Sequence, residues 1–275
     1  MSLEQNGQWP SIAEAFLTAV GHPLRPIEPD LNNFKHFSDP IPLKHDSPKA
    51  LILGVTPELH TLLSPSYSVF AMDRTEDMIK HVWPGNPENV IRKNWLDLEQ
   101  LDQTFELILL DGGLHLVQYP EEQQKLLSAI SSKLKSGGRF ITRLFTPPKK
   151  RESVEEVMTK FKQGTITSIN QLKIKLGNAL QSSARDGVIL DDIWKTVEKN
   201  IPDFEDIGSQ LGWTQMELKA LHFYRNLPAR YSFVTLEEVI EMANKASTNM
   251  TYLGVKTPHY TLGEQFPCVC FNKTT

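Results

Sequence analysis

The sequence predicts an α/β fold, doubly wound around a mainly parallel sheet, and three observations predict it. Short unbroken apolar runs, "LIL" at 51–53 and "LILL" at 107–110, suit strands buried on both faces, as parallel strands are. Segments of helical periodicity fall between these runs and provide the crossovers that parallel neighbours require. Gly54, Asp73, Asn94 and Asp111 stand at or just after the ends of the apolar runs, where open α/β sheets bind their ligands.

The elements follow in order. In "SIAEAFLTAV" (11–20), Ile12, Ala15, Phe16 and Ala19 share one helical face, and a proline-rich polar stretch ending "DPIPLKHDSPK" comes next. Residues 1–48 are therefore expected to form an N-terminal helical arm or cap. Strands are expected at 49–54, 68–73, 89–94, 105–111 and 138–145, within a cofactor-binding core spanning 49–146. The helix in "YPEEQQKLLSAISSKLKSGG" opens on a proline and acids, aligns Leu126, Leu127, Ile130 and Leu134, and places Gly137 at its C-cap. Strand patterns then stop, and helical segments within 147–231 predict an inserted helical subdomain, expected to act as an acceptor cap. Residues 232–275 return to the core with the helix "TLEEVIEMANKA" and two strand-like runs, "MTYLGVKTPHY" and "FPCVCFNK", read as a closing hairpin.

Composition narrows the function classes. Hydrophobic residues make up 40% and charged residues 23% of the 275, ordinary globular usage that argues against disorder or a disulfide scaffold. A formal charge of -4 offers no field for a polyanion, so nucleic acid is not expected as a partner. Cys268 and Cys270, the only cysteines, alternate across one strand and cannot easily bridge, which fits a reducing, cytoplasmic setting. No apolar run reaches membrane-span length, no export signal is evident, and no membrane association is expected. His22, His36 and His45 lack metal-ligand spacing, and no metal is predicted. A Gly-x-Ser-x-Gly elbow and a P-loop are both missing from the sequence, which disfavours a serine hydrolase and a P-loop ATPase.

The residues at the strand ends carry the candidate chemistry. Gly54 permits close approach of a ligand to the backbone, with Thr56 and Pro57 as N-cap and first residue of the following helix. Asp73 lies about 20 residues further on, where an acid reaches the ribose hydroxyls in nucleotide folds; the alternative is a helix cap. Asn94 offers an amide and Trp95 a flat ring for an adenine, although either side chain can equally serve packing. Asp111 ends the fourth strand, and Gly112 and Gly113 keep the passage beside it open, or simply form a turn. His115 is a candidate general base by its ordinary pKa, against a structural role.

This order of parts resembles the class I S-adenosylmethionine-dependent methyltransferases. "LILGVTPE" stands at that family's glycine-rich first motif, "VFAMDRTEDMI" at its acidic second motif, "RKNWLDL" at its adenine segment and "FELILLDGGLHLV" at its fourth motif. "LLSAISSKLKSGGRFITRLF" is similar to its helix, glycine turn and fifth strand, so the likeness covers roughly 45–146. The resemblance implies a seven-stranded Rossmann-like sheet and transfer of a methyl group from S-adenosylmethionine, leaving S-adenosylhomocysteine, to a small-molecule acceptor. It implies Gly54, Val55, Thr56, Pro57 and Glu58 around the methionine portion and Asp73 and Arg74 around the ribose. Met78, Asn94 and Trp95 would lie at the adenine, with Asp111 and Gly112 beside the methyl group. The departures are Thr56 and Glu58 at the second and third glycines, and Ile52 at the usual strand acid. Glu58 opposes a pyrophosphate and favours a sulfonium or ammonium, which ranks an NAD(P)-dependent oxidoreductase below S-adenosylmethionine chemistry. A non-catalytic S-adenosylmethionine-binding or scaffold protein is the remaining alternative.

Overall fold

The computed structural model describes residues 13, 16–39, 47–245 and 249–274. The chain divides into two compact units, one containing Pro26–Thr146 and Val234–Thr275, the other Met1–Arg25 and Pro147–Phe233. In the expected first helix, Ala13 and residues 16–19 are helical; Ile12 and Ala15 lie outside the described residues, as do 40–46 of the proline-rich stretch, His45 included.

The sheet unit begins with a helix, α1 at Glu28–Ser38, where the sequence predicts a proline-rich polar stretch. Prolines at 26 and 29 obscured it, yet a proline in the first turn removes no helical hydrogen bond. Its inward face carries Phe34 and Phe37, and the Asp30 carboxylate turns back to accept the Ile27 amide at 3.0 Å. The core strands are β1 (Lys49–Leu53), β2 (Ser68–Met72), β3 (Val90–Ile91), β4 (Phe105–Asp111) and β5 (Leu134–Arg143). Helices α2 (Pro57–Leu63), α3 (Glu76–Val82) and α4 (Glu121–Lys133) connect them.

Two boundaries are corrected. The third strand, expected over 89–94, pairs only at Val90 and Ile91, because Asn89 closes a 3-10 turn and Asn94 caps the next one. The fifth strand starts at Leu134 rather than 138, so Leu134, and not Gly137, occupies the helix C-cap. Phe105 pairs with Leu134 and Leu107 with Arg139, so the "KSGG" segment bulges out of the ladder.

The chain next enters the helical unit, with α5 (Val154–Lys162), α6 (Ile169–Leu180), α7 (Leu190–Asn200), α8 (Phe204–Gln210) and α9 (Gln215–His222). Ser153 and Thr214 close capping boxes with Glu156 and Glu217, which explains two sharp helix starts. Phe161, Phe204 and Trp213 form an aromatic cluster in its core. Two short strands absent from the sequence reading, β6 (Val188–Ile189) and β7 (Arg230–Tyr231), pair antiparallel.

The sheet unit resumes with α10 (Leu236–Lys245), β8 (Met250–Lys256) and β9 (Cys268–Lys273). The seven-stranded sheet runs β3-β2-β1-β4-β5-β9-β8, with β1 to β5 parallel and β9 antiparallel to both β5 and β8. The expected doubly wound sheet and closing hairpin are both present. Ala50, Leu51, Ile52 and Leu107 to Leu110 are fully buried, as strands covered on both faces require. The strand order reverses at β1 and β4, so the carboxyl ends of those strands form the switch-point crevice.

Candidate active site

Every predicted site residue lies in the sheet unit. At the end of β1, Gly54 has φ +101°, a conformation that L residues with a Cβ rarely adopt, and its amide donates to the Met72 carbonyl at 2.9 Å. Val55 is buried, Thr56 is the N-cap of α2, Pro57 is its first residue, and Glu58 sits in its first turn.

Asp73 follows β2, half-buried, and its Oδ1 accepts the Thr75 amide at 2.8 Å. Burial pushes its carboxyl above the usual carboxylate range, against the pull of that amide. The cap of α3 is Thr75, not Asp73; Asp73 forms the turn that precedes it. Arg74 is partly exposed and Met78 is buried on α3. Asn94 spends a lone pair of its Oδ1 on the Leu96 amide at 3.1 Å, capping the 3-10 turn Trp95–Gln100.

Trp95 does not stand at the margin of the crevice. Its Nε1–H donates to the Met72 carbonyl at 2.7 Å, the acceptor already shared with Gly54. Its ring borders Gly54 and Gly113: a Cβ added to Gly54 would stand in ordinary van der Waals contact with Cζ2 at 3.6 Å, and one added to Gly113 would run into Leu110 at 2.2 Å and lie 3.1 Å from Cη2. The indole therefore spans the ends of β2, β1 and β4.

Beyond β4 the structure bears on two expectations. Asp111 ends the strand as predicted, but its carboxylate is clamped by Arg143 on β5, with Nε–Oδ1 at 2.5 Å and NH2–Oδ2 at 3.1 Å. Both side chains are almost completely buried. Burial raises Asp111 above the usual carboxylate range even with the guanidinium beside it, and the charges of Asp30 and Glu58 add to that effect. Arg143 also lies 3.5 Å from Asp30, which accepts the Tyr260 hydroxyl at 2.8 Å. Burial works against the charge on Arg143, and Asp111 more than offsets it, so the guanidinium stays protonated. The group bordering the crevice is thus a buried ion-paired network, rather than a carboxylate aimed freely into it.

Gly112, at φ +60°, clears the ring of Phe145, which a Cβ would meet at 2.6 Å. His115 stacks on the same ring, with centroids 4.6 Å apart. Burial and the nearby Arg143 charge push its imidazole down to about 3. An imidazole pushed down in this way holds a proton poorly at neutral pH, which favours the structural role over the general base, the two roles the sequence left open for His115. Arg143, Asp30 and Tyr260 went unremarked in the sequence reading. The single arginine inside the apolar run "FITRLF" (140–145) is a usable signal, since a buried charge requires a partner.

Comparison with solved structures identifies the architecture. The CcbJ methyltransferase of Streptomyces caelestis superposes with a TM-score of 0.57 at 14% identity, over 96% of each chain. The N-methyltransferase NodS of Bradyrhizobium japonicum, solved with S-adenosyl-L-homocysteine, gives 0.52 at 8% identity over 98% of this chain and 99% of its own. The fold is the class I methyltransferase fold. A Rhodobacter sphaeroides protein assigned provisionally to the zinc-dependent alcohol dehydrogenases scores 0.65 at 12% identity over both full chains. Two described chemistries on one architecture leave the choice of function to the site. No protein-family profile matches the chain. No curated protein matches its sequence. Among the described residues, no group of three or more His, Cys, Asp or Glu side chains converges to hold a metal. Nor, among the described residues, is any helix long and apolar enough to cross a membrane.

Proposed function

We propose that the chain is an S-adenosylmethionine-dependent methyltransferase acting on a small-molecule acceptor. The observation that carries this reading is that Gly54, Asp73 and Glu58 all follow the carboxyl ends of neighbouring strands β1 and β2, beside the switch point between β1 and β4. The Asp73 carboxylate accepts the Thr75 amide at 2.8 Å, and the Thr75 hydroxyl and the Arg74 amide also act on it; two oxygens with about four lone pairs between them keep capacity for a ribose hydroxyl. Asp30 and Glu58 both act electrostatically on Asp111, and this excess of carboxylates suits a cationic ligand and disfavours a pyrophosphate. NodS, on the same fold, was solved with S-adenosyl-L-homocysteine.

In this reading Asp73 orients the ribose, the Gly54 backbone lets the ligand approach β1, and Glu58 attracts the ammonium end. When bound, S-adenosylmethionine supplies an electrophilic methyl on a sulfonium. The chain's part is to align donor and acceptor, since orientation provides much of the acceleration in a two-reactant displacement. With His115 buried and its imidazole pushed down to about 3, an acceptor that brings an available lone pair, as a neutral amine does, suits this site best. We assign acceptor selection to residues outside the sheet.

Calorimetric titration tests the reading. Micromolar binding of S-adenosylmethionine and S-adenosylhomocysteine, weakened at least about tenfold by Asp73→Asn, is the expected result. Binding of NAD with no heat from either sulfur ligand would overturn it. Binding without turnover on a panel of amine acceptors would favour the non-catalytic alternative, which the locked Asp111–Arg143 pair and the neutral His115 make specific.

A further inference from the structure

The Trp95 side chain lies at the carboxyl ends of three neighbouring strands. Trp95 donates its indole N–H to the last carbonyl of β2, covers Gly54 after β1 and reaches Gly113 after β4. A ligand laid along the carboxyl ends of these strands, from Asp73 toward Asp111, crosses the same line. Trp95 opens a six-residue 3-10 turn, is half-buried, and its N–H makes one hydrogen bond, to the Met72 carbonyl.

We infer that Trp95 is a gate that occupies the cofactor crevice in the resting protein and must swing out of it for S-adenosylmethionine to bind. The inference rests on the methyltransferase reading and adds the regulation of that site. Its physical content is a two-state equilibrium in which the indole competes with the ligand. Apparent affinity is then reduced by the fraction of molecules with the ring withdrawn. The Gly54 and Gly113 contacts make the ring a tenant of the sulfur-bearing segment. Removing it is therefore expected to help S-adenosylhomocysteine more than adenosine.

The test titrates S-adenosylhomocysteine and adenosine into the full chain and its Trp95→Ala and Trp95→Phe variants, each checked for folding by circular dichroism. Trp95→Ala is expected to tighten S-adenosylhomocysteine binding about tenfold or more, the scale of one lost hydrogen bond plus ring contacts. Trp95→Phe, lacking the N–H but keeping a smaller ring, falls between. In parallel, fluorine NMR of protein labelled with 5-fluorotryptophan, with the resonance assigned by Trp95→Phe, is expected to show that signal move on saturation. If the parent binds and Trp95→Ala binds equally or more weakly, the gate is overturned while the methyltransferase reading stands. If parent and both folded variants fail to bind, both fall together. Should Trp95→Ala not fold, the Phe variant and an unmoved or moved fluorine signal decide.

Discussion

Replacing Arg143 with leucine is the sharpest perturbation of the sheet unit. The guanidinium is fully buried, makes two hydrogen bonds to Asp111 at 2.5 and 3.1 Å, and lies 3.5 Å from Asp30. With charge centres about 4 Å apart and an effective dielectric near 20, each full charge pair is worth about 4 kcal/mol of attraction. Leucine leaves two carboxylates facing each other in a buried site, so the expected loss is about 3–5 kcal/mol, a large share of ordinary domain stability. Urea unfolding followed by circular dichroism at neutral pH measures it, and hydrogen exchange at β4 and β5 amides localises it to these strands. The double variant Arg143→Leu with Asp111→Asn is expected to recover at least about 1 kcal/mol, because the stranded charge disappears. A single variant within about 1 kcal/mol of the parent would refute the network as described, since that is the range of an exposed pair.

Two further outcomes follow from the same chemistry. Glu58→Gln is expected to weaken S-adenosylmethionine binding about tenfold while leaving 5′-methylthioadenosine, which lacks both the ammonium and the sulfonium, unchanged by calorimetry; equal losses for both would assign Glu58 to packing. In the helical unit, burial pushes the Lys173 amine, held 4.6 Å over the Tyr224 ring, down to about 7. Between pH 7 and the unfolded-state value of about 10.4 the unfolded chain binds the extra proton, so Lys173 makes stability rise with pH there and imposes its full cost below 7. Lys173→Met is therefore expected to raise the unfolding midpoint at pH 6, with the advantage fading toward pH 10. A pH-independent difference would contradict this.

The candidate site was partly legible before any coordinates. Asp73 and Asp111 stand at strand ends because apolar runs stop there, and a run of buried residues has an end that sequence alone can locate. Their partners were not legible. Asp111 meets Arg143 through lateral pairing of β4 with β5, and Asp30 joins them from a helix far upstream, so no local spacing records the contact. His115 shows the converse: its residue type suggests a base, while stacking on Phe145 and burial lower its pKa and favour the structural role. Trp95 was placed correctly after the third strand, but the direction of its side chain depends on the short 3-10 turn that begins there.

By itself the sequence determined the parallel sheet, the closing hairpin and the helical insertion, because hydrophobic periodicity and turn residues are local properties that survive in one dimension. Tertiary structure alone decided which of the strand-end groups stay available to a ligand. Hydrogen-bond capacity and burial belong to pairs of residues far apart in the chain. They committed Asp111 to Arg143, left Asp73 with capacity to spare, and laid the Trp95 indole across the crevice between them.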